Sequence, residues 1–342
     1  MKKVWITKIF SFVLLLFILY GSINIKASGI VADSYILMEK DTLRVLEGKN
    51  IHDKFLPASI TKIMTCIVAI ESCDLEEEFV VTSDVIKQEG SSIYLKLGEK
   101  VSMKSLLYGM MLRSGNDAAY MIAKCTFGDY DLFISKMNEY CCRIGMKNSV
   151  FYNPSGLDDE TCNYSSSYDM AILMAYALNN ETFREIVSTK NYSYRSSDGL
   201  THYFTNKHKL VLSYDYVTGG KTGYTKKAHR TLVTSAYKDG MELICVTFNC
   251  GNDWNNHLEL FDYGFNSFKM VKVMTEGIIK VDDNFYEAIP YLPDSIYIPL
   301  KNDENCDVVV YLVKDPKELI IGKVCIYIRD ELIYSSDIYR YY

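Results

Sequence analysis

Apolar and polar residues alternate in "SYILMEK" and "LRVLEGK" on either side of Asp41-Thr42, a period of two that predicts a two-stranded start to a sheet. The period then lengthens. "MKSLLYGMML", "DAAYMIAKC", "LFISKMNEYCCRI" and "SSYDMAILMAYAL" carry apolar residues three and four apart, which predicts a long helical middle, and Ser166 or Ser167 can cap its last helix. From about Tyr192 the alternation returns in "KTGYT", "RTLVTSAY" and "ELICVTFN", the last two joined at Lys238-Asp239-Gly240 in a predicted hairpin, and "WNNHLELFDYGFNSF" closes the stretch as a helix. One sheet built from the two ends of a domain, with helices inserted between them, is the simplest assembly.

Beyond about Val273 the texture changes again. Pro290, Pro293, Pro299 and Pro316, four of the six prolines, stand among short runs such as "SIYIPL", "DVVVYLV" and "KVCIYIRDELIY". Proline at that density belongs to edge strands and turns, so a small all-β domain is expected over 273–342. The run up to "DIYRYY" carries no apolar or amphipathic stretch of anchor length, so a C-terminal membrane anchor is not expected. At the other end, Lys2, Lys3 and Lys8 precede an uncharged run from Ile9 to Ile25, then the small residues Ala27 and Ser28. This predicts a secretory signal over 1–27 with cleavage after Ala27, leaving a main domain at 28–272. An uncleaved anchor is the rival, but the run falls short of the ~20 apolar residues a spanning helix needs.

Export changes how charge and cysteine are read. Loss of 1–27 removes four lysines and no acid, taking the formal net charge from −6 to −10. So acidic a chain is a poor partner for nucleic acid or anionic membrane. Ten cysteines in an exported chain invite disulfides, yet Cys66, Cys245 and Cys325 sit inside apolar runs, where Cys acts as a small buried hydrophobe. Mostly free thiols are expected.

The stretch "LPASITKIMTCIVAIES" carries the chemistry. Ile60, Ile63, Met64, Ile67 and Val68 form one helical stripe, with Ser59 and Lys62 off its flank about a turn apart. Pro57 suits a helix start. Ser59 then lies where free N–H groups and the helix dipole favour an oxyanion and make an ammonium easier to deprotonate. A neutral Lys62 can take the Ser59 proton, which activates a weak hydroxyl without histidine. A second Ser-x-x-Lys, Ser235 to Lys238, falls at a strand end, where residues three apart point to opposite faces. Spacing by itself is therefore weak.

Two further groups strengthen it: Ser114-Gly115-Asn116 in "MLRSGNDAAY", and Lys221-Thr222-Gly223 in "VTGGKTGYT". The three in this order are the signature of penicillin-binding proteins and serine β-lactamases. Together with "ILMEKDTLRVLEGKN", "LLYGMMLRSGNDAA", "FYNPSGLDD" and "GGKTGYTKKA", the chain resembles the serine D-alanyl-D-alanine carboxypeptidases, the low-molecular-mass penicillin-binding proteins.

The resemblance implies an α+β fold: a penicillin-binding/β-lactamase-like domain with an antiparallel sheet, flanking helices and an all-helical insertion, followed by a small β domain. It implies that Ser59 attacks the bond between two terminal D-alanines of a peptidoglycan stem peptide, with Lys62 as base. Ser114 would relay a proton to the leaving amine, and Asn116 would hold the substrate amide or orient Lys62. Lys221 and Thr222 would bind the terminal carboxylate, Gly223 would admit the substrate backbone, and the N–H groups of Ser59 and Tyr224 would form the oxyanion hole. β-Lactams would be covalent inhibitors, and neither a cofactor nor a metal is implied. His229 departs from the family, which has glycine there; a positive φ would strain it, and it either touches substrate or lies on the surface.

Two enzymatic rivals are weaker. A class A β-lactamase carries Glu three residues before Leu-Asn, whereas Leu178-Asn179 is preceded by Ala175. The five histidines include no ligand-spaced pair, which disfavours a zinc peptidase. A non-catalytic wall-binding or antibiotic-sensing protein is the third rival, and the intact Ser59, Lys62, Ser114, Asn116 and Lys221 speak against it.

Overall fold

The computed structural model describes residues 29–158, 161–197, 199–280, 288–313 and 318–341. The predicted signal over 1–27 and its cleavage lie outside the described residues. Strands β1 (Ser34–Glu39) and β2 (Val45–Lys49) lead, through a 3₁₀ turn at Ala58–Thr61, into helix α1 (Lys62–Ile70). A short pair, β3 (Glu78–Val80) and β4 (Lys100–Ser102), brackets a loop before helices α2 (Met103–Arg113), α3 (Asn116–Thr126), α4 (Tyr130–Ile144), α5 (Ser167–Ala177) and α6 (Glu181–Ser188). A hairpin, β5 (Asn191–Arg195) with β6 (Thr201–Thr205), and a short helix α7 (Lys209–Ser213) precede β7 (Val217–Thr225), β8 (His229–Lys238), β9 (Met241–Phe248) and α8 (Asp253–Ser267).

The two ends do meet: the main sheet runs β2-β1-β9-β8-β7, antiparallel throughout. Its sides are sorted by the period of two. Ile244, Val246 and Phe248 of β9 join Ile36, Met38 and Val233 against the helical cluster, while Leu243 and Cys245 join Leu37, Leu260 and Phe261 beneath α8. With both faces covered, every residue of β9 is buried, which is why it reads as an apolar run and not an alternation. The β8–β9 connection is the two-residue Asp239-Gly240, both at positive φ (51° and 82°), as a type I′ hairpin requires.

Local starts and stops follow the expected chemistry. Ser102, Asp129, Ser166 and Asn180 each accept a backbone N–H from the first turn of α2, α4, α5 and α6, so Ser166, not Ser167, is the cap. The stretch expected as one helix from Leu56 is instead a 3₁₀ turn followed by α1. Every residue from Lys62 to Ala69 is buried, because α1 passes through the middle of the helical cluster. Fully burying an Ile or Met contributes about 1.5–3 kcal/mol. Four such side chains, Ile63, Met64, Ile67 and Val68, are what carry the single lysine of α1 inward with them.

The alternating residues from Tyr192 to Thr205 form the separate β5–β6 hairpin and not part of the main sheet. After α8 the chain continues as β10 (Phe268–Met274), β11 (Gly277–Ile278), β12 (Ile289–Leu292), β13 (Ile296–Lys301), β14 (Asp307–Leu312), β15 (Ile320–Ile328) and β16 (Glu331–Tyr341). A β10–β13 pair packs on a five-stranded sheet of order β11-β12-β16-β15-β14 around Ile298, Ile321, Val324, Ile326 and Ile338. Since β10 follows α8 directly, the change of texture begins slightly ahead of Val273. Arg44, between β1 and β2, reaches this region, donating to Pro299 O and to Glu304 Oε1 at 2.7 Å. All ten cysteines are free thiols.

His229 opens β8 at φ 56° with its side chain exposed. The surface reading holds, and so does the positive φ. A left-handed conformation costs a non-glycine residue about 1–2 kcal/mol, partly offset by the greater chain entropy that glycine loses on folding. His229→Gly is therefore expected to raise stability by about 0.5–1 kcal/mol, measured by denaturant unfolding. An equal loss would show that the imidazole makes a contact worth more than the strain.

Candidate active site

Three approaches of backbone or hydroxyl pin the turn that holds Ser59. Thr231 Oγ1 donates to Pro57 O at 2.9 Å. A Cβ on Gly156 would fall 1.8 Å from Ala58 O, and one on Gly223 would fall 3.0 Å from Ser59 N. Ala58 itself is fully buried at φ 48°, a conformation that persists only where surrounding packing imposes it. The close approach at Gly223, expected for a substrate backbone, is thus already made by the turn of the chain that carries Ser59.

Lys62 Nζ lies 3.0 Å from Ser59 Oγ, 2.8 Å from Asn116 Oδ1 and 2.6 Å from Ser155 O. Two of these neighbours can only accept. Asn116 is oriented by its own Nδ2, which donates to Glu89 O at 2.6 Å, so its Oδ1 must face the lysine. A neutral amine has two N–H bonds and one lone pair; the carbonyls take the two protons and the lone pair is left for Ser59 O–H. Burial, then the charges of Lys221 and Lys207, push this amine well below the ordinary lysine range, with Asp117 pulling the other way. Among the described residues no carboxylate makes a hydrogen bond or ion pair with Lys62.

Ser114 ends α2 at φ 65°, and its hydroxyl accepts from Lys221 Nζ at 3.0 Å. Lys221 also donates to Thr222 O at 2.8 Å. It is 1% exposed, and burial with the Lys207 charge brings its ammonium down to about 7. Between that value and the roughly 10.4 of an unfolded lysine, the unfolded chain holds the extra proton. Stability should therefore rise with pH across this window, by up to a few kcal/mol from Lys221. Below it both states are protonated and the full cost of the buried charge is present. Urea unfolding from pH 7 to 10 should show the wild type gaining on Lys221→Met; parallel curves would place the Lys221 amine in water.

The cleft in front of these groups has a volume of about 390 Å³ and is lined by Ser59, Ser114, Thr222, Gly223, Tyr224 and Lys207, among others. Ser59, Lys62, Ser114, Asn116, Lys221, Thr222, Gly223 and Tyr224 are therefore brought together. The Ser235–Lys238 pair is not: Ser235 is buried against Thr218 while Lys238 is exposed. Ala175 and Asn179 line a different pocket with Arg143 and Lys40, so no Leu-Asn stretch reaches Ser59. His208 and His257 share Thr234 Oγ1 at 3.0 and 2.8 Å, and burial pushes His208 down to about 3 and His257 well below its usual range. Both imidazoles are therefore buried and neutral at pH 7.

Sequence reasoning missed three groups. Ser155 accepts through a backbone carbonyl, in a turn whose N–H groups are gathered by Asn153 Oδ1. Asp117 accepts from the N–H groups of Ile93 and Leu95 and the Ser92 hydroxyl, fixing the loop beside the cleft. Arg230, Asp253 and Trp254 line its far end. Only the asparagine and the glycine of "FYNPSGLDD" and the acid after Asn116 hinted at the first two.

A serine hydroxyl facing a buried, carbonyl-bound lysine is an arrangement suited to acyl transfer by a serine enzyme. The chain belongs to the peptidase S11 family, the D-alanyl-D-alanine carboxypeptidases, whose profile matches residues 22–252. It is 33% identical over 246 residues to the Bacillus subtilis D-alanyl-D-alanine carboxypeptidase DacF, covering 70% of this chain and 63% of that protein, and so spans less than two thirds of that relative. It is 30% identical over 241 residues to DacB2 of Mycobacterium tuberculosis, covering 68% of this chain and 82% of that one. Penicillin-binding protein 5 of Haemophilus influenzae superposes with a TM-score of 0.75 at 26% identity, over 91% of this chain and 97% of the other. That likeness takes in the C-terminal strands as well.

Proposed function

We propose that this chain is a serine D-alanyl-D-alanine carboxypeptidase that trims the terminal D-alanine from peptidoglycan stem peptides. The observation that carries the reading is the Lys62 amine, 3.0 Å from Ser59 Oγ with two carbonyls to hold its protons. Ser59 Oγ attacks the carbonyl between the two D-alanines as its proton passes to Lys62 Nζ. The oxyanion forms between the N–H groups of Ser59 and Tyr224. Collapse breaks the C–N bond; Ser114, held by Lys221, passes the proton to the leaving amine, and D-alanine departs. Water then hydrolyses the ester and restores Ser59.

Asn116 acts by orienting Lys62, and Thr222 with Lys221 receives the terminal carboxylate. A β-lactam is a cyclic amide that acylates the same serine, and its ring-opened amine stays tethered to the acyl group, so the ester persists. The lysines and apolar run ahead of Ala27 support export, which brings the site to its wall substrate, and the sheets after α8 form a separate β domain. The test is D-alanine release by the chain from Ser28 onward from a peptide ending in D-Ala-D-Ala, beside one ending in L-Ala. One D-alanine per peptide from the first and none from the second is expected. No release from either would overturn the reading in favour of a sensor on the same fold.

A further inference from the structure

The C-terminal sheet ends on a strand that lacks the usual defences of an open edge. In the order β11-β12-β16-β15-β14, β11 is blunted by its length of two residues. At the other end β14 runs for six, "DVVVYL". It carries no lysine and no proline, and its register with β15 has no bulge. Natural edge strands use such features to refuse another strand. The open edge of the main sheet at β2 has Glu47 and Lys49, and the one at β7 lines the cleft.

Hydrogen-bond parity fixes what β14 offers. Val313 N donates to Ile321 O at 2.9 Å, in line with the pairing of Leu312 with Gly322. Bonding direction alternates along an antiparallel strand, so Val309, Tyr311 and Val313 bond toward β15 while the N–H and C=O groups of Val308, Val310 and Leu312 point outward. The side chains of those same three share a face with Ile326, Val324 and Gly322, the core side. Yet Val308 is 41% and Val310 37% exposed. The apolar layer around Ile298, Val324 and Ile326 therefore opens at this edge, beside a row of outward backbone donors and acceptors that no strand among the described residues pairs with.

We propose that β14 is a self-association edge, on which a second copy of this chain lays its own β14 antiparallel, with Val310 opposite Val310 on a two-fold axis. That register pairs every outward residue, Val310 with Val310 and Val308 with Leu312, for about six backbone hydrogen bonds. On the core side it sets apolar side chains against apolar ones. On the other face Val309 meets Tyr311 and Asp307 meets Val313, so no like charges are opposed. The occupant is a second copy because the strand complements itself in hydrogen bonding, shape and charge. A contact of this isologous kind closes at two copies, and the dimer presents two clefts to a polymeric substrate.

The test is sedimentation of the chain from Ser28 onward between about 1 µM and 1 mM, because one strand pair is a small contact for which a dissociation constant on the order of 10–100 µM is expected. The wild type should pass from monomer to dimer over that range and go no further. Val310→Lys, which sets two ammoniums opposite each other on the axis, should weaken dimerisation more than about tenfold. Val310→Pro removes the N–H at the axis in a position an edge strand tolerates, should act in the same direction, and serves alone if lysine disturbs the core. Ile278→Lys, on the opposite edge, should leave the dimer unchanged, and unfolding midpoints show which variants are folded. A wild type that stays monomeric throughout, a dimer indifferent to Val310 substitution in a folded variant, or growth beyond two copies would each overturn the assignment.

Discussion

Ser59→Ala is expected to lower D-alanine release on the order of 10⁴-fold or more, the scale seen when a covalent nucleophile is removed. Its unfolding midpoint should move by no more than a degree or two. The two halves of this expectation have separate causes. The Ser59 hydroxyl is one oxygen in a turn whose backbone is held by Thr231, Gly156 and Gly223. Lys62 keeps Asn116 Oδ1 and Ser155 O as acceptors, so nothing buried is orphaned. What disappears is the one hydroxyl that, among the described residues, is hydrogen-bonded to Lys62 Nζ. Peptide binding should survive, and measured KM or competition by the intact peptide should be nearly unchanged. Residual release above one part in a hundred would point to a different nucleophile.

Lys62→Met is the second large effect, and it runs in opposite directions for activity and stability. Release and acylation by penicillin should both fall on the order of 10³-fold or more, because Ser59 is left without a base. Stability should not fall. The wild type buries an amine completely, with no hydrogen-bonded or ion-paired carboxylate among the described residues; methionine fills similar space without a charge. Two carbonyls lose a donor, at about 1–3 kcal/mol each, against the larger cost of keeping an amine in that place. The pH dependence fixes the sign. The folded amine lies well below its unfolded value, so wild-type stability rises with pH between the two. The advantage of the variant should be greatest in acid and shrink toward pH 10. Thermal unfolding at pH 6 and pH 9 measures it, and an advantage that grows with pH would mean that Lys62 is charged and stabilised in the fold.

Side-chain pattern made part of this site legible. Ser59 and Lys62 are three residues apart, and a helical turn is enough to bring them together; Ser114 and Asn116 flank a helix junction, and Lys221 is spaced along one strand. Each is a local fact. The Lys62 bond to Ser155 spans 93 residues and uses a backbone oxygen, which no residue type announces. Gly156 mattered only once Ala58 O stood 1.8 Å from where its Cβ would be. Arg230 looked like an ordinary strand residue because its partner Asp253 starts another element.

The same contrast holds for the fold. Caps at Ser102, Asp129, Ser166 and Asn180 and the Asp239-Gly240 turn are written in side chains acting on adjacent backbone. The β5–β6 hairpin alternates with the same period as the main-sheet strands. Only tertiary packing against α2, where a Cβ on Gly109 would meet Phe204 at 3.1 Å, tells the two apart.

The central claim is an acyl group carried by Ser59, and its most direct measurement is the mass of the trapped intermediate. The chain from Ser28 onward, mixed with a peptide ending in D-Ala-D-Ala, quenched in acid within one turnover and digested, is read by mass spectrometry while free D-alanine is counted. The account predicts that the fragment containing Ser59 gains the peptide less one D-alanine, in step with the D-alanine released. D-Alanine appearing with Ser59 unmodified at every time point, or an acyl group on any other residue, would contradict it.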